Sequence, residues 1–288
     1  MNIKSGNVLS ETVYSPASQL QQPLVLFKKM WKDLLSSTHL AWRLFLRSFS
    51  ARYRQTMFGY IWAFLPPLIT TGIFVFLNSQ KIFEVGETVL PYPAYVMIST
   101  LLWQVFVDAV NNPLQVVNQS KSFLTKINFP REAIIISGLY EVFFNFIIRL
   151  VLIVVVFLWF HIPLPKTIIL APLGVLSLVI FGLMVGILLV PLGMLYHDVE
   201  NGLRLVISMW LFLTPVVYPP PTEGFAAFFS LLNPVTPLLV TTREMLTLGT
   251  MSQLPIFIIV SFVTLFMLFL GWVVFRLALP YLIEKLGN

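Results

Sequence analysis

Ionisable side chains are scarce in this chain, and the few inside its apolar runs are where chemistry would have to occur. Asp108 closes one such run, while Glu141, Asn145 and Arg149 step by four through another and so wind along one stripe of a helix. That stripe admits three readings: internal pairing that fastens helices together, the lining of a polar substrate path, or a proton or ion relay. The relay is weakened because no chain of carboxylates links Asp108, Glu141 and Arg149. An unpaired arginine deep in lipid costs at least about 2.5–3.5 kcal/mol, so Arg149 is expected to face protein or water.

Catalytic motifs are missing from the sequence. It has no Gly-x-x-x-x-Gly-Lys-Ser/Thr phosphate loop, no His-Glu-x-x-His and no Gly-x-Ser-x-Gly. His39, His161 and His197 fall in separate boundary segments, and there is no cysteine to supply a thiolate. Asp198 and Glu200 are isolated at a turn. The chain is therefore expected to be no enzyme and to hold no metal or cofactor of its own.

The elements that must position these groups are membrane helices. Of 288 residues, 58% are hydrophobic and only 10% charged, with a mean hydropathy of +0.88, whereas soluble domains carry about 25% charged residues. Apolar segments run unbroken for about twenty residues, which excludes the alternation of a β-barrel. The expectation is an all-α integral membrane protein with six transmembrane helices near 58–77, 93–110, 133–160, 167–194, 203–218 and 254–275. The second of these ends at the Asn111-Asn112-Pro113 break, and Pro66 and Pro67 are expected to kink the first.

The segment from Ser50 to Leu77 sets the orientation. Arg52 and Arg54, with Arg43 and Arg47 behind them, precede about twenty uncharged residues, and arginines mark the cytoplasmic end of a span. With six spans, Lys81, Lys166 and Arg243 are the basic residues left outside and Arg149 lies within a span. The other Lys and Arg side chains fall inside, so both termini are predicted to be cytoplasmic. The net charge of +6 lies mostly beside apolar runs, which suits anionic headgroups better than nucleic acid.

Residues 1–57 read as a cytoplasmic tail followed by amphipathic interfacial helices, and 58–288 as the transmembrane domain. Leu24–Leu35 is too charged to span and is predicted to lie in the interface, with Phe27 and Trp31 dipping inward. Between the fifth and sixth spans, Thr222–Leu232 and Thr236–Gly249 are each too short to cross, and are expected to be re-entrant at the outer mouth. Aromatic side chains are abundant, and Tyr60, Trp62 and Phe64 near the inner end of the first span are candidates to line a pathway. The basic cluster is explained by topology and lipid anchoring, or by capture of a phosphorylated substrate by Arg52 and Arg54.

Several motifs, in order, resemble one family. The arginine junction with Gly59-Tyr-Ile-Trp-Ala-Phe-Leu-Pro-Pro67 is similar to the opening of permeases of ABC-2 type polysaccharide exporters, with Phe58 where a leucine is usual. Further matches are Asn118–Glu132 with its Phe129-Pro-Arg131, Thr214-Pro-Val-Val-Tyr-Pro219 with Leu232-Asn-Pro234, and the tail from Phe275 to Glu284. The resemblance implies a permease of a bacterial cytoplasmic (inner) membrane that pairs with itself and with two copies of a separate ATPase. ATP and magnesium would then sit on the partner. It also implies a lipid-linked glycan substrate of O-antigen, capsule or teichoic-acid type, with Arg52 and Arg54 at its pyrophosphate. Lys121, Leu124, Lys126, Phe129, Pro130 and Arg131 would dock on the ATPase. Two alternatives stand beside this: a membrane-embedded enzyme of polyprenyl-linked glycan metabolism, which the scattered carboxylates oppose, and an ion-coupled secondary carrier.

Overall fold

The computed structural model describes residues 23–54, 61–82, 85–124, 129–196 and 198–287, and every regular element among them is helical. Two amphipathic helices come first, α1 (Pro23–Ser36) and α2 (Thr38–Arg54). Their inward stripes are Leu26 and Met30 on α1 and Ala41 and Phe45 on α2, while Phe27, Trp31 and Trp42 are exposed. Then follow α3 (Ile61–Ser79), α4 (Tyr92–Leu124), α5 (Glu132–Trp159), a short 3₁₀ turn (Lys166–Leu170) leading into α6 (Ala171–Leu195), and α7 (Asp198–Leu213). The chain ends with α8 (Gly224–Leu232), α9 (Val235–Thr247) and α10 (Leu254–Gly287).

Four helical segments are long and apolar enough to cross a bilayer: α4, α5, the 3₁₀ turn with α6, and α10. A fifth crossing results if α8 and α9, bent by 89° at the Asn233-Pro234 break, count as one broken span. The remaining two of the six expected spans are shorter. The apolar part of α3 is Phe64–Ser79, and α7 has 16 residues, about 24 Å at the helical rise. The sequence expectation on Pro66 and Pro67 meets an α3 that is assigned as helix through both.

Burial ranks the spans. Seventy-two per cent of the apolar window of α4 is buried within the chain, against 17% for α10, so α4 is the central post and α10 a peripheral one. The close partner of α4 is α6, and small residues permit that approach. A Cβ on Gly182 would stand 2.6 Å from the Ala109 Cβ, and one on Gly186 would stand 2.5 Å from the Val110 carbonyl oxygen. Four residues apart, the two glycines form a Gly-x-x-x-Gly seam of the kind that lets membrane helices pack backbone to backbone.

The second span does not stop at residue 110. The helix α4 runs on through Pro113 to Leu124, and the stretch from Leu114 that reads as an inner loop is largely helical. Proline loses one ladder donor and crowds the preceding turn. Here its ring is buried against Gly186, and Asn112 beside it fits into the gap over Gly138, so packing offsets the propensity loss. At its 33 residues α4 is about 50 Å long, well beyond a hydrocarbon core of about 30 Å. Similarly, α10 continues past Arg276 because Phe275, Leu279 and Leu282 join Val116, Val117, Val190 and Met194 in a second apolar cluster.

Candidate functional site: buried charges and the two ends of the bundle

Asp108 lies mid-helix on α4, facing α5. The Arg149 Nη1 donates to Asp108 Oδ2 at 2.7 Å, with side chains only 6% and 17% exposed. Asn145 Nδ2 and Gln104 Nε2 approach the two carboxylate oxygens at 3.4 Å each, at the long end of hydrogen bonding. Glu141, one turn before Asn145, is buried too. At Arg149 a buried cation thus meets an anion across the α4–α5 seam. Two desolvated charges so matched add little net stability, but removing one member takes a counter-ion from the other.

A second ionic centre joins elements far apart in sequence. Arg276 of α10 reaches Glu132 Oε1 through Nη1 at 2.5 Å and Asp33 Oδ2 through Nη2 at 2.6 Å. One guanidinium fork thus ties α1 and the first turn of α5 to α10. Alongside it, aromatic contacts hold α2 on α5, with Phe49 edge-on to Phe144 at 4.6 Å and Phe45 beside Tyr140 and Phe144.

The segment expected to dock on an ATPase borders this centre. Lys121 Nζ donates to the Met194 carbonyl at 3.2 Å, placing a cation at the C-terminal end of α6, where the helix dipole favours one. Leu124 is buried, and Phe129, Pro130 and Arg131 are half-buried at the start of α5. Lys126 lies outside the described residues. On the first span, Trp62 is exposed and Phe64 half-buried. Arg52 and Arg54 fall in the last turn of α2, with side chains outside the described set, and Tyr60 lies outside it altogether.

The opposite end holds a network that sequence reasoning missed. Arg243, read from sequence as an outer charge, sits on α9, a helix buried at every residue except Glu244. Its Nη1 donates to Ser99 Oγ at 2.9 Å and to the Pro215 carbonyl at 3.1 Å, and its guanidinium lies 4.1 Å from the centroid of the Tyr95 ring. Tyr95 and Tyr92 in turn donate to the Tyr218 and Val217 carbonyls. From the other side, Trp210 Nε1 donates to Asn233 Oδ1, and Asn233 Nδ2 donates to Leu213 O and Thr214 Oγ1. The bonds to Leu213, Thr214, Pro215, Val217 and Tyr218 converge on the turn leaving α7. Just before α9, the Asn233 Oδ1 also accepts from the Val235 N–H. The one signal in sequence was an arginine inside an apolar segment too short to span.

The ABC-2 type transporter family model matches residues 39–247, nearly three-quarters of the chain. The chain belongs to the ABC-2 type transporters. The match begins at the second residue of α2 and ends with the last residue of α9, so the Asp108–Arg149 pair and the Arg243 network fall within the ABC-2 region, whereas of the Arg276 clasp only Glu132 does. Among individual proteins, the chain is similar to the O-antigen export system permease protein RfbA of Myxococcus xanthus, 24% identical over 214 residues, covering 73% of this chain and 81% of that one. It is also similar to the O-antigen export system permease protein RfbA of Klebsiella pneumoniae, 25% identical over 210 residues, covering 72% and 79%. Among the described residues of this ABC-2 transporter, no group of three or more His, Cys, Asp or Glu is arranged to hold a metal ion.

Proposed function

We propose that the chain is the membrane permease of an ABC exporter that carries a lipid-linked polysaccharide across a bacterial cytoplasmic (inner) membrane. The polymer would be of O-antigen, capsular or teichoic-acid type, and ATP hydrolysis would occur on a separate subunit. The observation that carries this reading is an ABC-2 match over most of a chain whose sequence has no phosphate-binding loop. The export permeases it is similar to support the polysaccharide as cargo.

In this reading the chain acts as a homodimer with two ATPase subunits, six spans and both termini cytoplasmic. Residues 1–57 supply the tail and interfacial helices, and 58–288 the transmembrane domain. The amphipathic stripes of α1 and α2 favour the interfacial placement. Arg52 and Arg54 receive the pyrophosphate headgroup, since guanidinium forks match phosphate oxygens. Tyr60, Trp62 and Phe64 guide the polymer, and α8 with α9 gates the outer mouth. For Glu141, Asn145 and Arg149 the bond to Asp108 favours a fastening role over path lining.

The coupling face comprises Lys121, Leu124, Lys126, Phe129, Pro130 and Arg131. Movement of the ATPase there would reach α5 at its first turn and, through Glu132 and Arg276, α1 and α10. The test is hydrolysis by the purified chain alone and after addition of a cognate ABC ATPase subunit. The reading expects none alone, and hydrolysis coupled to export in the complex. Lys126→Glu and Arg131→Ala should keep hydrolysis but lose export. Hydrolysis by the chain alone, or normal export from both variants, would overturn the assignment.

A further inference from the structure

Between the C-terminal half of α5 and the start of α6 the fold leaves an apolar cleft of about 840 Å³, within the 300–1,000 Å³ range of ligand pockets. Leu150, Val154 and Phe157 of α5 form one wall, Ala171 and Val175 of α6 the other, and Leu246 of α9 the floor. His161 is the one polar side chain in the lining among the described residues. Leu150, Val154 and Leu158 are 40%, 50% and 71% exposed, so the cleft opens sideways. Only 28% of the apolar window of α5 is buried within the chain, so the opening lies on a face that the chain itself leaves uncovered.

The rim differs from the walls. His161, with a φ of 52°, takes the left-handed backbone conformation that residues other than glycine seldom adopt, and Lys166 follows it on the exposed 3₁₀ turn. Among the described residues Lys166 makes no ion pair. A sugar chain would find no hydroxyl partners in these walls, whereas hydrocarbon would meet matching surface. Lys166 is not itself in the lining but stands two residues before Ile168, which is, and lysine can extend along apolar surface to meet a negative headgroup at the mouth.

We propose that this cleft binds the acyl chains of a membrane phospholipid whose anionic headgroup is held at the rim by Lys166 and His161. The lipid wedges between α5 and α6 and rests on Leu246, so it braces α9 from the membrane side. The proposal stands apart from the transport reading, because binding is measured on the full chain without ATP or polysaccharide.

The test is native mass spectrometry of the purified full chain titrated with phosphatidylglycerol or phosphatidylcholine of equal chain length. One bound phosphatidylglycerol per chain is expected, retained about fivefold more strongly than phosphatidylcholine, the discrimination one or two basic contacts give. Lys166→Glu should remove that preference, and Val154→Trp, which fills the cleft from an exposed position, should lower retention of both lipids. Equal retention of the two lipids, or wild-type retention by Val154→Trp, would overturn the proposal. Displacement of phosphatidylglycerol by equimolar polyprenyl phosphate would overturn the choice of occupant.

Discussion

The Asp108–Arg149 pair gives the sharpest test of what the buried charges do. Replacing Asp108 with Asn keeps the shape but leaves Arg149 facing a neutral amide across a seam where its side chain is 6% exposed. Stranding one member of a buried pair costs about 3–5 kcal/mol, which should lower the apparent melting midpoint in detergent on the order of 10 °C. Arg149→Met should cost a similar amount by stranding Asp108. The double variant Asp108→Leu with Arg149→Met replaces two desolvated charges by apolar groups, an exchange that is often neutral or stabilising in buried sites. Its melting midpoint should return to within a few degrees of wild type, read by fluorescence-detected size exclusion after heating. Export then separates the two roles. A fastening pair predicts that the double variant exports, whereas a substrate-path lining predicts a stable protein that does not. A double variant as unstable as either single, or a neutral Asp108→Asn, would refute the pairing argument.

Three further outcomes follow from the other contacts. Arg243→Met removes a hydrogen bond to Pro215 in the Leu213–Tyr218 turn, another to Ser99, and a cation–π contact with Tyr95, which itself donates to Tyr218, so accelerated hydrogen exchange should be concentrated in that turn and the α8–α9 bend, and unchanged exchange there would contradict the network. Gly186→Leu drives a branched side chain into the Val110 carbonyl and the Pro113 ring, and should lose at least as much stability as the 1–3 kcal/mol typical of overpacking, seen as a lower melting midpoint or loss of monodisperse protein. Arg276→Met leaves Asp33 and Glu132 as two neighbouring carboxylates without their cation, so limited proteolysis near α1 should speed up, and wild-type resistance would count against the clasp.

Some of this architecture was legible in advance. Long apolar runs marked α5, α6 and α10, and Gly249 marked the end of α9, where its φ of 80° suits a residue without a Cβ. The Asn233-Pro234 break was readable for the same local reason. The course of α4 was not, because the space that accepts Pro113 is made by Gly186, more than seventy residues away in sequence. Arg276 shows the same limit: its carboxylates come from α1 and α5, and charge counting placed it inside without naming a partner. Spacing alone left the Glu141–Asn145–Arg149 stripe open among three roles, and the position of Asp108 across the seam, which favours fastening, could not be read from it.

The central claim is that this ABC-2 chain moves a lipid-linked polysaccharide only when a separate subunit hydrolyses ATP. The direct measurement is translocation of such a polymer in proteoliposomes containing the chain with and without the ATPase subunit. The account predicts translocation that needs the partner and ATP and is indifferent to a proton gradient. Translocation by the chain alone that collapses with the gradient would contradict it.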